Sequence, residues 1–276
     1  MTKYAWRIYL SLIFAVLYIP ILTLILFSFN ASSSTAEFSG FSFQWYRALF
    51  DEQTRGETFT ALRNTLILAV LSSVISTVIG TAAAEGIYKM KNKLLRKTVT
   101  SVTNIPMMNP EIVTGMSMML LFVAVASLLR TEYETIGFGA MLIAHVTFCL
   151  PYVILSVLPR INELGDSLSE AALDLGCTPL QAFFKVKLPN IMPGVISGMV
   201  MAFTLSLDDF VISYFVGSSN FQTLPLLIYS MTKKKVTPDM YALSTLIVVA
   251  VFVLLLVSNM KKERNTGARK AGGRKK

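Results

Sequence analysis

The sequence is short of charged residues, cysteine and histidine. Only 15% of its 276 residues are charged and 54% are hydrophobic, whereas soluble domains carry about 25% charged residues. This balance excludes an ordinary soluble domain and predicts a multi-span membrane protein. The two cysteines, Cys149 and Cys177, fall in a predicted span and in a predicted loop, and neither they nor His145 show metal-ligand spacing. We therefore expect no disulfide, no metal and no other cofactor.

Six apolar runs are long enough to cross a membrane as helices, because a hydrocarbon core of about 30 Å needs about 20 residues. They cover residues 9–27, 66–84, 112–129, 136–158, 191–215 and 241–257. The first run is longer than the 7–15 residues of a signal peptide, so we predict an uncleaved span. After it, the segment "QWYRALF" predicts a short helix at the membrane interface. Within the fourth run, His145 is either a proton relay or a neutral, hydrogen-bonded imidazole.

The basic residues indicate an orientation for these spans. Cytoplasmic loops of membrane proteins are enriched in Lys and Arg. With a cytoplasmic N-terminus, only seven of the 25 Lys and Arg fall outside, namely Arg47, Arg55, Arg63, Arg130, Lys233, Lys234 and Lys235. We therefore predict that both termini are cytoplasmic and that the net charge of +9 reflects topology and not nucleic-acid binding. The basic tail is expected to lie against anionic lipid.

The predicted cytoplasmic loop 160–190 contains the stretch "EAALDLGCTPLQAFFKVKLP". Asp166 or Ser167 is a candidate N-cap, and Ser167 with Glu170 fits a capping box. Gly176 can end this first helix in the left-handed conformation, and Thr178 followed by Pro179 can start a second one. So short a helix must pack on something, either its own protein or a partner. Because the chain has no GxxxxGK[ST] loop, any ATP chemistry must belong to another polypeptide.

The spacing in this loop resembles the signature of binding-protein-dependent ABC importer permeases, the EAA-motif family. That signature is EAA, three residues, G, nine residues and I-x-LP, and only Val186 for Ile departs from it. The resemblance implies a coupling helix that docks on an ATPase subunit and moves as a lever. The residues that it assigns to this coupling are Glu170, Ala171, Ala172, Gly176, Leu188 and Pro189.

Acidic residues inside the predicted spans suggest a path for a cation. Asp208 and Asp209 lie in the fifth run and Glu111 lies near the start of the third. Charges at such depth are costly, so they usually face a cavity or a partner. The alternative is a shorter fifth span with both aspartates solvated at its rim. A polyamine, with its spaced ammonium groups, would suit these carboxylates and the nearby Tyr214.

The segments "HVTFCLPYV", "NPEIV", "FTLSLDDFVIS" and "LPLLIYSM" look like those of second permease subunits of spermidine/putrescine importers. The resemblance implies an all-α, six-span type I importer permease in the bacterial cytoplasmic membrane, without enzymatic activity of its own. Its partners would be a second homologous permease, two ATPase subunits and an extracytoplasmic polyamine-binding protein. Permeases for ferric iron, thiamine or phosphonate, and a secondary transporter or channel, stay open as alternatives.

Three regions follow from this interpretation. Residues 1–60 hold the first span and an outside segment, residues 61–258 form the permease core with its coupling loop 160–190, and residues 259–276 form the basic cytoplasmic tail.

Overall fold

The computed structural model describes residues 3–32, 37–49, 52–130, 133–218, 221–234, 240–246 and 248–249. These residues are helical or irregular, and their only extended pairings are isolated bridges between Asn30 and Phe41 and between Ser218 and Phe221. The helices are α1 Lys3–Phe27, α2 Gln44–Ala48, α3 Glu52–Lys89, α4 Lys93–Met108, α5 Glu111–Leu129, α6 Tyr133–Leu164, α7 Ser167–Asp174, α8 Pro179–Ala182, α9 Leu188–Asp208, α10 Val211–Val216 and α11 Leu224–Lys234. A π turn, Phe183–Lys187, joins α8 to α9.

Five helices among the described residues are long and apolar enough to cross a membrane. They are Trp6–Phe27, Gly56–Lys89, Glu111–Leu129, Gly137–Leu164 and Pro179–Asp208. Each corresponds to one of the first five predicted spans, which confirms the all-helical membrane architecture. The predicted end of the fifth span at residue 215 is wrong, because its helix stops at Asp208. The sixth predicted span, 241–257, lies mostly outside the described residues.

One compact unit comprises Thr58–Leu227, and α6 lies at its centre. Residues that are fully buried along α6, such as Ala144, Cys149 and Val157, belong to a single apolar core that also takes in α3 and α9. Val153 of α6 lies between two glycines. A Cβ added at Gly80 of α3 would lie 2.7 Å from Val153 Cγ1, and one added at Gly198 of α9 would lie 3.4 Å from it. A side chain at position 80 would therefore collide with α6, and one at position 198 would be crowded, so the small residues let the three helices pack closely.

The second unit comprises Met1–Glu57 and Ile228–Lys276. The short helix predicted around "QWYRALF" is confirmed as α2, and the Trp45 indole donates a 2.6 Å hydrogen bond to the backbone oxygen of Asn30. The Tyr46 hydroxyl lies 2.7 Å from Ser28 Oγ. Leu49 packs with Ala242 and Leu243 in a small separate cluster. This unit thus has an apolar cluster of its own around α2.

We predict that Gly80→Ala lowers the stability of the purified protein, because the added methyl group collides with Val153 and such overpacking costs about 1–3 kcal/mol. Gly86→Ala is the matched control on the same helix, since nothing lies within 4 Å of a Cβ there. Because alanine has a higher helix propensity than glycine, we expect Gly86→Ala to leave the stability unchanged or to raise it. Thermal unfolding in detergent compares the two variants, and an equal loss in both would contradict this account of the helix contact.

Candidate functional site

The first helix of the EAA loop, α7, ends in a glycine elbow. Gly176 has φ +86°, the left-handed conformation that its position was predicted to require. The Gly176 N–H donates to the Leu173 oxygen at 2.9 Å, and the Cys177 N–H donates to the Ala172 oxygen at 3.0 Å. These two bonds form a Schellman motif, which satisfies carbonyls that the helix end leaves without partners. The elbow at Gly176 is therefore confirmed.

The second helix of the loop, α8, begins at Pro179 as predicted, with Thr178 as its N-cap. Thr178 Oγ1 accepts from the Gln181 N–H at 3.3 Å, and the Gln181 side chain accepts from the Thr178 N–H at 3.1 Å. The loop thus contains a capping box, although not at the predicted place. At the start of α7, Asp166 is the N-cap without a side-chain capping bond, and Ser167 is already helical, so the Ser167–Glu170 box is wrong.

Helix α8 continues into α9 through the π turn, in which the Leu188 N–H donates to the Phe183 oxygen. In a regular α-helix, a proline ring clashes with the carbonyl four residues before it. The wider π turn relieves this clash for the proline that comes next. Pro189 follows Leu188 directly. Leu188 packs against the apolar core of the unit. The elbow and the long helix α9 therefore form one continuous helical path.

The six residues assigned to coupling differ in exposure. Glu170, Ala171, Gly176 and Pro189 are exposed, whereas Ala172 is buried in its own protein. The elbow also leaves large apolar side chains uncovered, with Leu175 86% and Leu180 71% exposed in this single chain. The loop thus has one face that packs inward at Ala172 and an outward face that is partly apolar.

A buried ion pair connects the base of the elbow to α3. The Lys187 ammonium lies 2.8 Å from Glu85 Oε2 and 3.0 Å from Oε1, and the two side chains are 3% and 13% exposed. The same ammonium lies 4.5 Å from the centroid of the Tyr88 ring. From the sequence, Lys187 is only one of several basic residues in a predicted cytoplasmic loop. The two residues are 102 positions apart, so no local pattern predicts their contact.

The far end of α9 is a helix break. Asp209 has extended backbone angles, φ −63° and ψ 121°, and α10 starts at Val211. The Asp209 carboxylate accepts from the Ile212 N–H at 3.3 Å and from the Ser213 N–H at 2.8 Å. It therefore satisfies backbone groups that the break exposes, as apolar surroundings require.

Of the four residues predicted to line a substrate path, only Asp209 is buried. Glu111 and Asp208 are exposed, and the Tyr214 ring is 43% exposed. Gly115, one turn beyond Glu111 on α5, meets Val211 and Phe215 of α10. Glu111 therefore lies one turn from the α5–α10 contact, and Tyr214 lies on α10 itself. Asp208 ends α9 three residues before α10 begins, on the other side of the helix break. The structure thus brings together the helices that carry Glu111 and Tyr214.

His145 is the centre of a buried polar chain beside the break. Its Nδ1 lies 2.8 Å from Ser206 Oγ, its Nε2 lies 3.2 Å from Ser213 Oγ, and Ser72 Oγ donates to Ser206 Oγ at 2.8 Å. Nε2 also lies 3.5 Å from an Asp209 oxygen. If Ser206 donates to Nδ1 and Nε2–H points to Ser213 and Asp209, a neutral imidazole meets every partner. The geometry is that of a hydrogen-bonded imidazole, one of the two predicted alternatives.

The chain matches a protein family over residues 76–260, and the family is described as "Binding-protein-dependent transport system inner membrane component". It is 37% identical over 265 residues to the putrescine transport system permease protein PotI of Escherichia coli K12, covering 94% of this chain and 93% of that one. It is 35% identical over 257 residues to the spermidine/putrescine transport system permease protein PotC of Haemophilus influenzae, covering 93% and 96%.

Solved structures share the fold. A bacterial ABC transporter for import of the acidic polysaccharide alginate has a chain that matches with TM-score 0.71 and 18% identity, covering 95% of this chain and 96% of that one. A chain of the MetNI methionine ABC transporter in an inward-facing conformation matches with TM-score 0.60 and 20% identity, covering 77% and 96%. At these identities the likeness concerns the fold alone.

We predict that His145→Leu, which keeps the approximate side-chain size, destabilises the protein because Ser206, Ser213 and Asp209 lose a partner at a cost of about 1–3 kcal/mol. His145→Gln, with a donor and an acceptor, should retain part of the lost stability. Thr147→Val is the control, since Thr147 is exposed on the same helix. Melting temperatures in detergent measure all three, and a glutamine variant no better than leucine would contradict the hydrogen-bonding account.

Proposed function

This chain belongs to the family of binding-protein-dependent transport system inner membrane components, and we propose that it is the permease subunit of an ATP-driven importer of polyamines. The observation that carries the proposal is its 35–37% identity, over more than nine-tenths of its length, to permeases named for putrescine and for spermidine/putrescine. Two exposed carboxylates, Glu111 on α5 and Asp208 three residues before α10, suit a substrate that carries several ammonium groups.

The proposed complex contains this chain, a second homologous permease, two ATPase subunits and an extracytoplasmic polyamine-binding protein. One solved alginate importer of the same fold is described in complex with a periplasmic protein that carries its substrate. Transport proceeds by alternating access. ATP closes the ATPase dimer, the permeases turn outward and take substrate from the binding protein, and ATP hydrolysis returns the path to the inward-open state. Hydrolysis is assigned to the ATPase subunits.

The elbow of α7 and α8 is the proposed contact with one ATPase. Glu170, Ala171 and Gly176 lie on its exposed side, and the exposed side chains of Leu175 and Leu180 add the apolar area that a docking surface needs. Ala172 is buried, and α7 packs on α8 and the π turn of the same loop. Because Leu188 and Pro189 continue the elbow into α9, movement of the docked elbow is passed directly to a membrane helix.

The proposed substrate path runs beside the contact of α5 and α10. Glu111 and Asp208 offer ion pairing to ammonium groups, and the half-exposed Tyr214 ring offers a cation–π contact. Asp209 keeps an indirect role in this proposal, since its carboxylate shapes the break that ends α9 next to Asp208. Spermidine and putrescine are both candidate substrates.

We expect Glu170→Lys to abolish both co-purification of the ATPase and spermidine uptake, because the substitution reverses a charge on the docking helix. Glu57→Lys is the control, an exposed charge reversal on α3 outside the loop. Affinity pull-down of the tagged permease and radiolabelled uptake in cells without other polyamine importers measure both effects. An intact pull-down with intact uptake in the Glu170 variant would rule out this docking site.

We expect Asp208→Asn to raise the KM for polyamine uptake by about 10- to 150-fold, since loss of a charged contact costs about 1.5–3 kcal/mol. Basal ATP hydrolysis should be unchanged. Glu37→Gln is the control, because Glu37 is also exposed but lies far along the chain from the proposed path. The KM of spermidine uptake is measured for both variants. A second measurement adds excess thiamine, which should not inhibit spermidine uptake. An unaltered KM would remove Asp208 from the path, and inhibition by thiamine would contradict the polyamine assignment.

A further inference from the structure

The ion pair of Glu85 and Lys187 is unusual for its place. Lys187 is the last residue of the π turn, so its ammonium lies where the elbow becomes α9. Glu85 lies one turn before the end of α3. Its neighbours Ala84 and Ile87 are buried in the apolar core, and Leu188 packs on the same core. Two opposite charges therefore meet inside an apolar contact between two helices that are distant in sequence.

The Lys187 ammonium is enclosed by its partners. Glu85 contributes both carboxylate oxygens, at 3.0 Å and 2.8 Å, and the face of Tyr88 covers the ammonium at 4.5 Å. Lys89, whose ammonium lies 3.1 Å from Glu85 Oε1, is 65% exposed and pairs with the same carboxylate from the outer side. If the elbow moved away from α3, Glu85 would keep Lys89, but the buried Lys187 ammonium would lose its carboxylate. Removing the partner of a buried charge is strongly destabilising.

Helix α9 meets α6 in a different way. Gly194 of α9 lies against Arg160 and Ser156 of α6, and Gly198 lies against Ser156 and Val153, so a Cβ at either position would be crowded. The contact of α9 with α6 thus rests on close packing, whereas the ion pair is a directional link between α3 and the base of the elbow.

We infer that Glu85 and Lys187 are a positioning pair that makes α3 move together with the coupling elbow. This inference rests on the proposed function, in which an ATPase moves the elbow. The displacement then reaches α9 through the continuous chain and α3 through the ion pair, so that two membrane helices reorient at once. Neither residue touches substrate or ATP in this scheme. Their role is to connect hydrolysis to the opening of the path.

The test uses the complete complex in proteoliposomes, with transport and ATP hydrolysis measured on the same sample. Lys187→Met and Glu85→Gln should keep ATP hydrolysis within about twofold, while polyamine transported per ATP falls at least tenfold. The double variant Glu85→Lys with Lys187→Glu should recover a substantial part of the ratio. Exposed Lys93 of α4 and exposed Glu57 of α3, both outside the coupling loop, supply the matched controls Lys93→Met and Glu57→Gln. These should leave the ratio unchanged.

A second measurement follows helix movement without polyamine. Spin labels on cysteines at Val78 of α3 and Val123 of α5, both exposed, report their separation with and without ATP in a Cys177→Ser background. The unmodified complex should show an ATP-dependent change that Lys187→Met loses. If the variants keep the normal transport ratio and the normal change, the inference is overturned. It is equally overturned if transport and hydrolysis fall together, in proportion to the amount of assembled complex.

The two measurements separate this inference from the proposed function. If α3 moves with ATP in the unmodified complex but no polyamine is transported, the substrate assignment fails. The spin-label result for Lys187→Met then decides the positioning pair by itself. If the unmodified complex transports polyamine and Lys187→Met still moves α3, the positioning pair fails and the substrate assignment stands.

Discussion

A backbone N–H or C=O that is shielded from water needs a partner within the protein, and the arrangement of α9 and α10 depends on how Asp209 meets that requirement. The fifth apolar helix stops there, and the buried carboxylate accepts from the N–H groups of Ile212 and Ser213. His145, Ser206 and Ser72 extend the same hydrogen-bonded chain to α6, α9 and α3. Helix α9 can therefore end at Asp208, and α10 can begin at Val211, without unpaired N–H groups at Ile212 and Ser213.

Helix α9 has a different kind of joint at each end. Towards the elbow, the π turn and the ion pair of Lys187 with Glu85 attach it to α3. At the other end, the Asp209 break attaches it to α10 and so to α5, where Gly115 admits Phe215. In between, Gly194 and Gly198 let it lie close against α6. This construction suits the proposed role of α9, in which a rigid helix carries movement from the elbow to the proposed substrate path beside Asp208.

Local features could be predicted from the residues because their physics is local. The left-handed turn needs Gly176, the start of α8 needs Thr178 and Pro179, and each apolar run of about 20 residues implies a membrane helix. The loop signature added the family, which the comparisons confirm. The Ser167–Glu170 capping box failed for a similarly local reason. The helix starts one residue earlier than a Ser167 cap allows, with Asp166 in the cap position.

The membrane class, the approximate places of the first five apolar helices and the shape of the elbow could all be predicted from the residues, because they follow from periodicity, length and turn chemistry. The end of the fifth helix and the burial of individual charges depend on the tertiary structure. Asp208 and Asp209 are adjacent in sequence, yet one is exposed and the other caps a helix inside the protein. Lys187 looked like a solvated loop residue until the fold placed Glu85 beside it. Burial and pairing arise from contacts between segments far apart in the chain, and composition or spacing within one segment does not encode them.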